Sequence, residues 1–151
     1  ATGSKGPYDV TLGDALTVYP FGNSVVTTTI TGAGLWAALE NGVSNFPSDG
    51  RFPQISGFKF TWDSTKTKMS RVVSVTTLDG KAIAADSKEY SIATLDFLDQ
   101  GGDGYVGTFD PAKSKVRDLL VDVLIEALKA DLAAGKVTQM PAADGRIVKI
   151  A

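Results

Sequence analysis

The chain has 151 residues, a formal net charge of −2 at neutral pH and a sequence pI near 5.0. Its hydrophobic fraction of 43% and charged fraction of 21% are those of one soluble globular domain large enough to bury a core. With no basic footprint and no apolar run near the ~18 residues a span requires, neither nucleic acid nor membrane insertion is expected. There is no His and no Cys, so a Ser-His-Asp triad, a His-ligated zinc, an imidazole base, thiol catalysis and disulfides are all excluded. Catalysis by this chain alone would fall to carboxylates, Lys, Tyr or an oxygen-ligated metal.

Taken in order, Ala1 to Pro7 lacks the charged-then-apolar plan of a secretory signal, and residues 1–8 read as a flexible arm. Thr11-Leu12-Gly13-Asp14 spells a capping box with Asp in place of Glu, predicting a short helix that Pro20 ends. Phe21-Gly22-Asn23 is a tight turn, and Ser24 to Thr31 is a strand rich in β-branched residues. Thr31 caps a second helix, whose face is Leu35, Ala38, Leu39 and Val43, broadened by Trp36. Asn41-Gly42 weakens that helix near its end, before a loop over 45–50. From Gln54 to Asp63 a strand puts Ser56, Phe58, Phe60 and Trp62 on one face. Arg71 to Thr77 and Lys81 to Ala84 flank Asp79-Gly80 as a hairpin. Tyr90 to Leu95 is a further strand. Asp110-Pro111 starts a long helix with an apolar stripe from Val116 to Leu132, closed by Gly135. Gly145 to Ile150 ends the chain as a short strand. The sum is an α+β fold, a single layered domain of mixed sheet with flanking helices.

Asp96 to Tyr105 stands apart, with four acids or amides and three glycines crowded around Phe97. As a plain turn it needs no ligand. As a calcium loop it places Asp99, Asp103 and Asp110 at positions 1, 5 and 12 with Gly104 at 6, although an EF-hand requires a helix, not a strand, before it. As a small-molecule contact it offers the flat face of Phe97, the acceptor Asp103 and an approachable backbone. Two further loops, Phe21-Gly22-Asn23 and Gly50-Arg51-Phe52-Pro53-Gln54, are weak candidates alone. No Walker-type phosphate loop is present.

Together these stretches carry a resemblance. Thr11 to Asn23, Thr31 to Glu40, Gly50 to Gly57, Ser70 to Val73, Asp96 to Tyr105 and Gly145-Arg146-Ile147 resemble, in that order, the C-terminal domain of the 5'-nucleotidase and UDP-sugar hydrolase family. The resemblance implies nucleoside recognition: Phe21 and Phe97 sandwich the base, Asp103 holds ribose hydroxyls, Asn23 reaches the base and Gly50 lies near the sugar. It implies no catalytic residue and no metal ligand in this chain. The two divalent metals belong to an N-terminal metallophosphatase domain, which is the expected partner, along with a nucleoside or nucleotide. That domain, and an Asn-Gly-Gly-x-Ile-Arg phosphate-gripping segment, are absent from this chain, so the chain alone is expected to be inactive. Leu95 and Asp99 stand where relatives often carry Asn and Ala. An extracytoplasmic location, whether secreted, periplasmic or cell-surface, is implied by the family. The alternative is a stand-alone nucleoside- or protein-binding module without catalytic activity.

Overall fold

A computed structural model describes residues 9–138 and 142–151; the arm expected at residues 1–8 lies outside them. Thr11 caps α1, Leu12–Val18, and its carboxylate partner Asp14 returns the bond to the Thr11 backbone N–H at 2.8 Å. The box thereby gives partners to the Thr11 and Asp14 N–H groups at the open end of the helix. A turn through Phe21-Gly22-Asn23 leads to β1, Ser24–Thr31, where Val26, Thr28 and Ile30 alternate inward. Thr31 ends that strand and caps α2, Gly32–Val43, accepting from the Gly34 N–H at 3.0 Å. The sequence expectation for these elements holds.

The strands form two small sheets. One has β1 at its centre, between β4, Glu89–Leu95, and β5, Lys115–Leu119, both antiparallel to it. The other centres on β2, Phe58–Trp62, antiparallel to β3, Val72–Thr77, and parallel to β6, Ile147–Lys149. The core joins Ile30 of β1 and Leu35, Ala38, Leu39 and Val43 of α2 to Phe60, Trp62, Val72 and Val75 of the second sheet. Polar ties lock the helix to β3. Glu40 accepts from the Arg71 and Val72 N–H groups, each at 2.8 Å. Arg71 in turn donates to the Val43 and Ser44 carbonyls, satisfying the open end of α2. Among the described residues no helix is long and apolar enough to cross a membrane.

Three expectations are corrected. Asp110-Pro111 does not start a long helix. Asp110 caps only a 3-10 turn over Pro111–Lys113, after which the chain extends into β5, and α4 runs from Leu120 to Ala133. The helical stripe from Val116 onward is overridden because β1 would otherwise expose an unpaired edge, and pairing satisfies its backbone groups. Val116 is accordingly 70% exposed and not a core residue. Gly135 does end α4, in a left-handed conformation with Lys136 N–H reaching back to Asp131. The strand expected from Gln54 begins only at Phe58, because Gly57 sits at φ +87°. Lys81 to Ala84 is not a full strand: a single bridge, Thr76 to Ala82, marks the hairpin beyond Gly80.

Candidate functional site

The Asp96 to Tyr105 stretch follows β4 directly. Asp96–Asp99 form one helical turn, α3, and Gly102–Gly104 form a 3-10 turn. The glycines divide the labour. Gly101 and Gly104 lie at φ +92° and +81°, where a side chain would be strained. Gly102 has a different reason to lack a side chain. A Cβ there would lie 2.5 Å from Phe97 ring atoms, so the ring rests flat on the Gly102 backbone. One face of Phe97 is thus seated, and the residue remains 47% exposed.

Phe21 is 86% exposed on the turn between α1 and β1, held out by Gly22 at φ +65°. Neither ring has an aromatic partner; the aromatic pairs among the described residues link Phe46, Phe52 and Trp62, and Tyr105 with Phe109. Fully burying a Phe side chain is worth about 1.5–3 kcal/mol, most of which Phe21 and part of which Phe97 leaves unused. A cavity of about 170 Å³ opens beside the first ring, lined by Val18, Phe21, Leu95 and Leu120 among others.

Asp96 connects the two turns, and sequence reasoning did not single it out. Its Oδ1 accepts from the Asn23 side-chain amide at 2.9 Å and from the Phe97 N–H at 2.7 Å. Those bonds, the Asn23 one foremost, hold the Asp96 carboxyl below the usual carboxylate range, against partial burial, which pushes it up. The only sequence hint was its position immediately before Phe97. Asn23, expected to reach a base, gives one amide N–H to this tie, while its backbone carbonyl accepts from the Leu120 N–H at 2.9 Å.

On the other side, Asp103 is exposed in a left-handed conformation, φ +51°, ψ +28°. Its backbone carbonyl accepts from Asn41 Nδ2 at 3.0 Å, so the end of α2 holds this turn. Asn41 Oδ1 accepts from Arg51 Nη1 at 3.2 Å, and Arg51 pairs through Nε with Asp49 at 2.8 Å. Asn45 and the Arg51 N–H also donate to Asp49, and these bonds, Asn45 first, lower its carboxyl pKa. Gly50, between Asp49 and Arg51, is exposed, and a Cβ there would meet nothing within 4 Å. The buried Tyr105 hydroxyl donates to the Arg51 carbonyl at 3.0 Å, and burial pushes its pKa up. Of the five expected residues, Asn23 and Phe97 are joined through Asp96, with Phe21 on the same turn as Asn23. Gly50 and Asp103 are joined through Arg51 and Asn41.

The calcium spacing is not realised as a site. Asp99 is buried and accepts from Ser114 Oγ at 2.8 Å, and Asp110 caps its own turn through the Ala112 N–H. The segment before the loop is strand. Among the described residues no three His, Cys, Asp or Glu side chains gather into a metal-ligating group.

The fold is a mixed α+β domain, and its candidate residues are carried on loops and turns at the ends of its strands and helices. Residues 2–111 match the family profile of the 5'-nucleotidase, C-terminal domain. The chain is 35% identical over 147 residues to the trifunctional nucleotide phosphoesterase protein YfkN of Bacillus subtilis, covering 94% of this chain and 10% of that protein. It is 35% identical over 136 residues to cell wall protein Lmo0130 of Listeria monocytogenes, covering 89% and 17%. The crystal structure of a 5'-nucleotidase precursor from Thermus thermophilus superposes with a TM-score of 0.77 at 31% identity, over 93% of this chain and 28% of that one. The chain belongs to the 5'-nucleotidase C-terminal-domain family. It spans less than a third of each of these three proteins.

Proposed function

We propose that this chain recognises the nucleoside part of a nucleotide on behalf of a metal-dependent phosphohydrolase of the 5'-nucleotidase type. The carrying observation is the pair of exposed, unpartnered rings, Phe21 and Phe97, on turns tied together through Asp96. A base stacked on aromatic rings is worth roughly 1–3 kcal/mol per base and is accepted whatever its identity, because every base presents a π face. Asp103, exposed on its left-handed turn, accepts from ribose hydroxyls, since a carboxylate has acceptor capacity for both. Gly50, with open space where a Cβ would stand, keeps the sugar's approach clear, and the Asn23 amide oxygen, not used in the tie to Asp96, is the atom that reaches the base.

The whole of residues 1–151 serves as one recognition domain. A separate N-terminal metallophosphatase domain carrying two divalent metals supplies the hydrolytic chemistry, and this chain alone hydrolyses nothing. Support comes from the short span of the chain against relatives named as nucleotide phosphoesterase and 5'-nucleotidase. The protein works outside the cytoplasm, in keeping with a relative named as a cell wall protein.

Calorimetric titration with adenosine tests the reading. Weak binding is expected, and each of Phe21→Ala and Phe97→Ala reduces it by about fivefold or more. Unchanged titrations in both variants would remove the sandwich. Release of phosphate from AMP by this chain with added divalent metal would overturn the claim that it is inactive alone.

A further inference from the structure

Asn41-Gly42 is a poor pair to place in a helix, and both residues sit inside α2 where Ala would propagate it better. The structure gives each of them a use at the site. A Cβ on Gly42 would meet Pro53 Cδ at 2.6 Å and the Tyr105 hydroxyl at 3.1 Å, so only glycine lets the 51–53 loop and Tyr105 close on the helix. Asn41 then reaches the Asp103 carbonyl on one side and Arg51 on the other.

The orientation of that amide is fixed by chemistry. Arg can only donate, so Asn41 must turn its oxygen to Arg51 and its nitrogen to the carbonyl. Arg51 is itself clamped by Asp49 through Nε and through its own backbone N–H, and by the Tyr105 hydroxyl on its carbonyl. This relay meets the turn that carries Asp103 at two points, the Asp103 carbonyl and the Tyr105 hydroxyl. Asp103 occupies a left-handed conformation that most side chains avoid. Without the Asn41 donor its carbonyl loses its partner and the peptide is free to turn, taking the carboxylate with it.

We propose that Asn41 and Arg51, braced by Asp49, are positioning residues that set the Asp103 carboxylate for the paired ribose hydroxyls and so make the domain selective for ribonucleosides. They act through Asp103 and touch no ligand. The inference rests on the nucleoside reading above.

The test is titration of the unaltered chain, Asn41→Ala, Asn41→Asp and Arg51→Lys with adenosine and with 2',3'-dideoxyadenosine, beside hydrogen exchange at the Gly104 and Tyr105 amides. The unaltered chain prefers adenosine. Asn41→Asp keeps the shape but has no donor for the carbonyl. It and Asn41→Ala weaken adenosine by about tenfold, leave the dideoxy ligand unchanged and speed exchange at both amides. Arg51→Lys, which keeps the charge but not the fork, falls between. If the Asn41 variants keep the adenosine preference, or lose both ligands equally, the positioning role is overturned while nucleoside recognition stands. If the unaltered chain binds neither ligand, the nucleoside reading itself falls, and the selectivity with it.

Discussion

Gly102 is the sharpest place to perturb the site, because its missing side chain supports a ring and does not serve the backbone. In Gly102→Ala the new Cβ would lie 2.5 to 2.6 Å from three atoms of the Phe97 ring, against the 3.4 Å at which ordinary contact begins. The ring must move about 1 Å off its seat, into the space a stacked base would occupy, or swing out of the slot, and either displacement disrupts the close contact that stacking needs. With base stacking worth about 1–3 kcal/mol, complete loss of the Phe97 jaw lowers adenosine affinity by about five- to 150-fold. Stability should barely move. Phe97 is half exposed and can yield into solvent, and Gly102, unlike Gly101 and Gly104, is not in the left-handed region. Ala there even restricts the unfolded chain, an effect of about 0.4–1 kcal/mol in the stabilising direction. Titration calorimetry and a thermal melt on the same samples separate the two effects. A Gly102→Ala chain that melts normally and binds adenosine as the unaltered chain does would refute the seat-and-jaw account. One that binds normally but melts early would show that the contact is structural.

Two further outcomes follow from the ties around the site. Asp96 is expected to contribute stability above its ordinary pKa near ~3.9 and to lose it as pH falls through the depressed folded value. Urea melts of the unaltered chain and Asp96→Asn between about pH 2 and pH 6 should therefore converge as the pH drops, and a gap independent of pH would refute that linkage. Glu40→Ala removes the acceptor for two part-buried N–H groups at the start of β3. A loss of about 2–3 kcal/mol is expected, lowering Tm by roughly 4–12 °C, with adenosine affinity per folded molecule unchanged; an unaltered melt would sink it.

The elements legible in the sequence were those whose signal is local. Thr11 with Asp14, Thr31 before an apolar face, and Gly135 after one each carry the chemistry of a cap, and the structure places a cap at each. The 110–135 stretch failed for the opposite reason. Its apolar spacing suits a helix throughout, and what turns Lys115–Leu119 into a strand is the free edge of β1, some ninety residues away in sequence. The site divides in the same way. Phe21 and Phe97 are conspicuous because aromatic residues beside glycines are unusual. Asp96, Asn41 and Arg51 lie in stretches that the sequence marks, but their own roles rest on partners that only the fold supplies. Gly102 is visible in the sequence only as one glycine of a cluster, whereas its use is the space it leaves.

The parallel pairing of β6 with β2 has a consequence for how the protein is made. Phe60 of the core strand faces Ile147, with more than eighty residues between them. At the ~5–20 residues per second of synthesis, β2 leaves the ribosome several seconds before its second neighbour exists. During that interval one edge of the aromatic strand holding Phe60 and Trp62 is open to any other extended chain. The nascent protein therefore carries an open edge on the strand that holds Phe60 and Trp62, and that edge closes only once residues 147–149 have emerged.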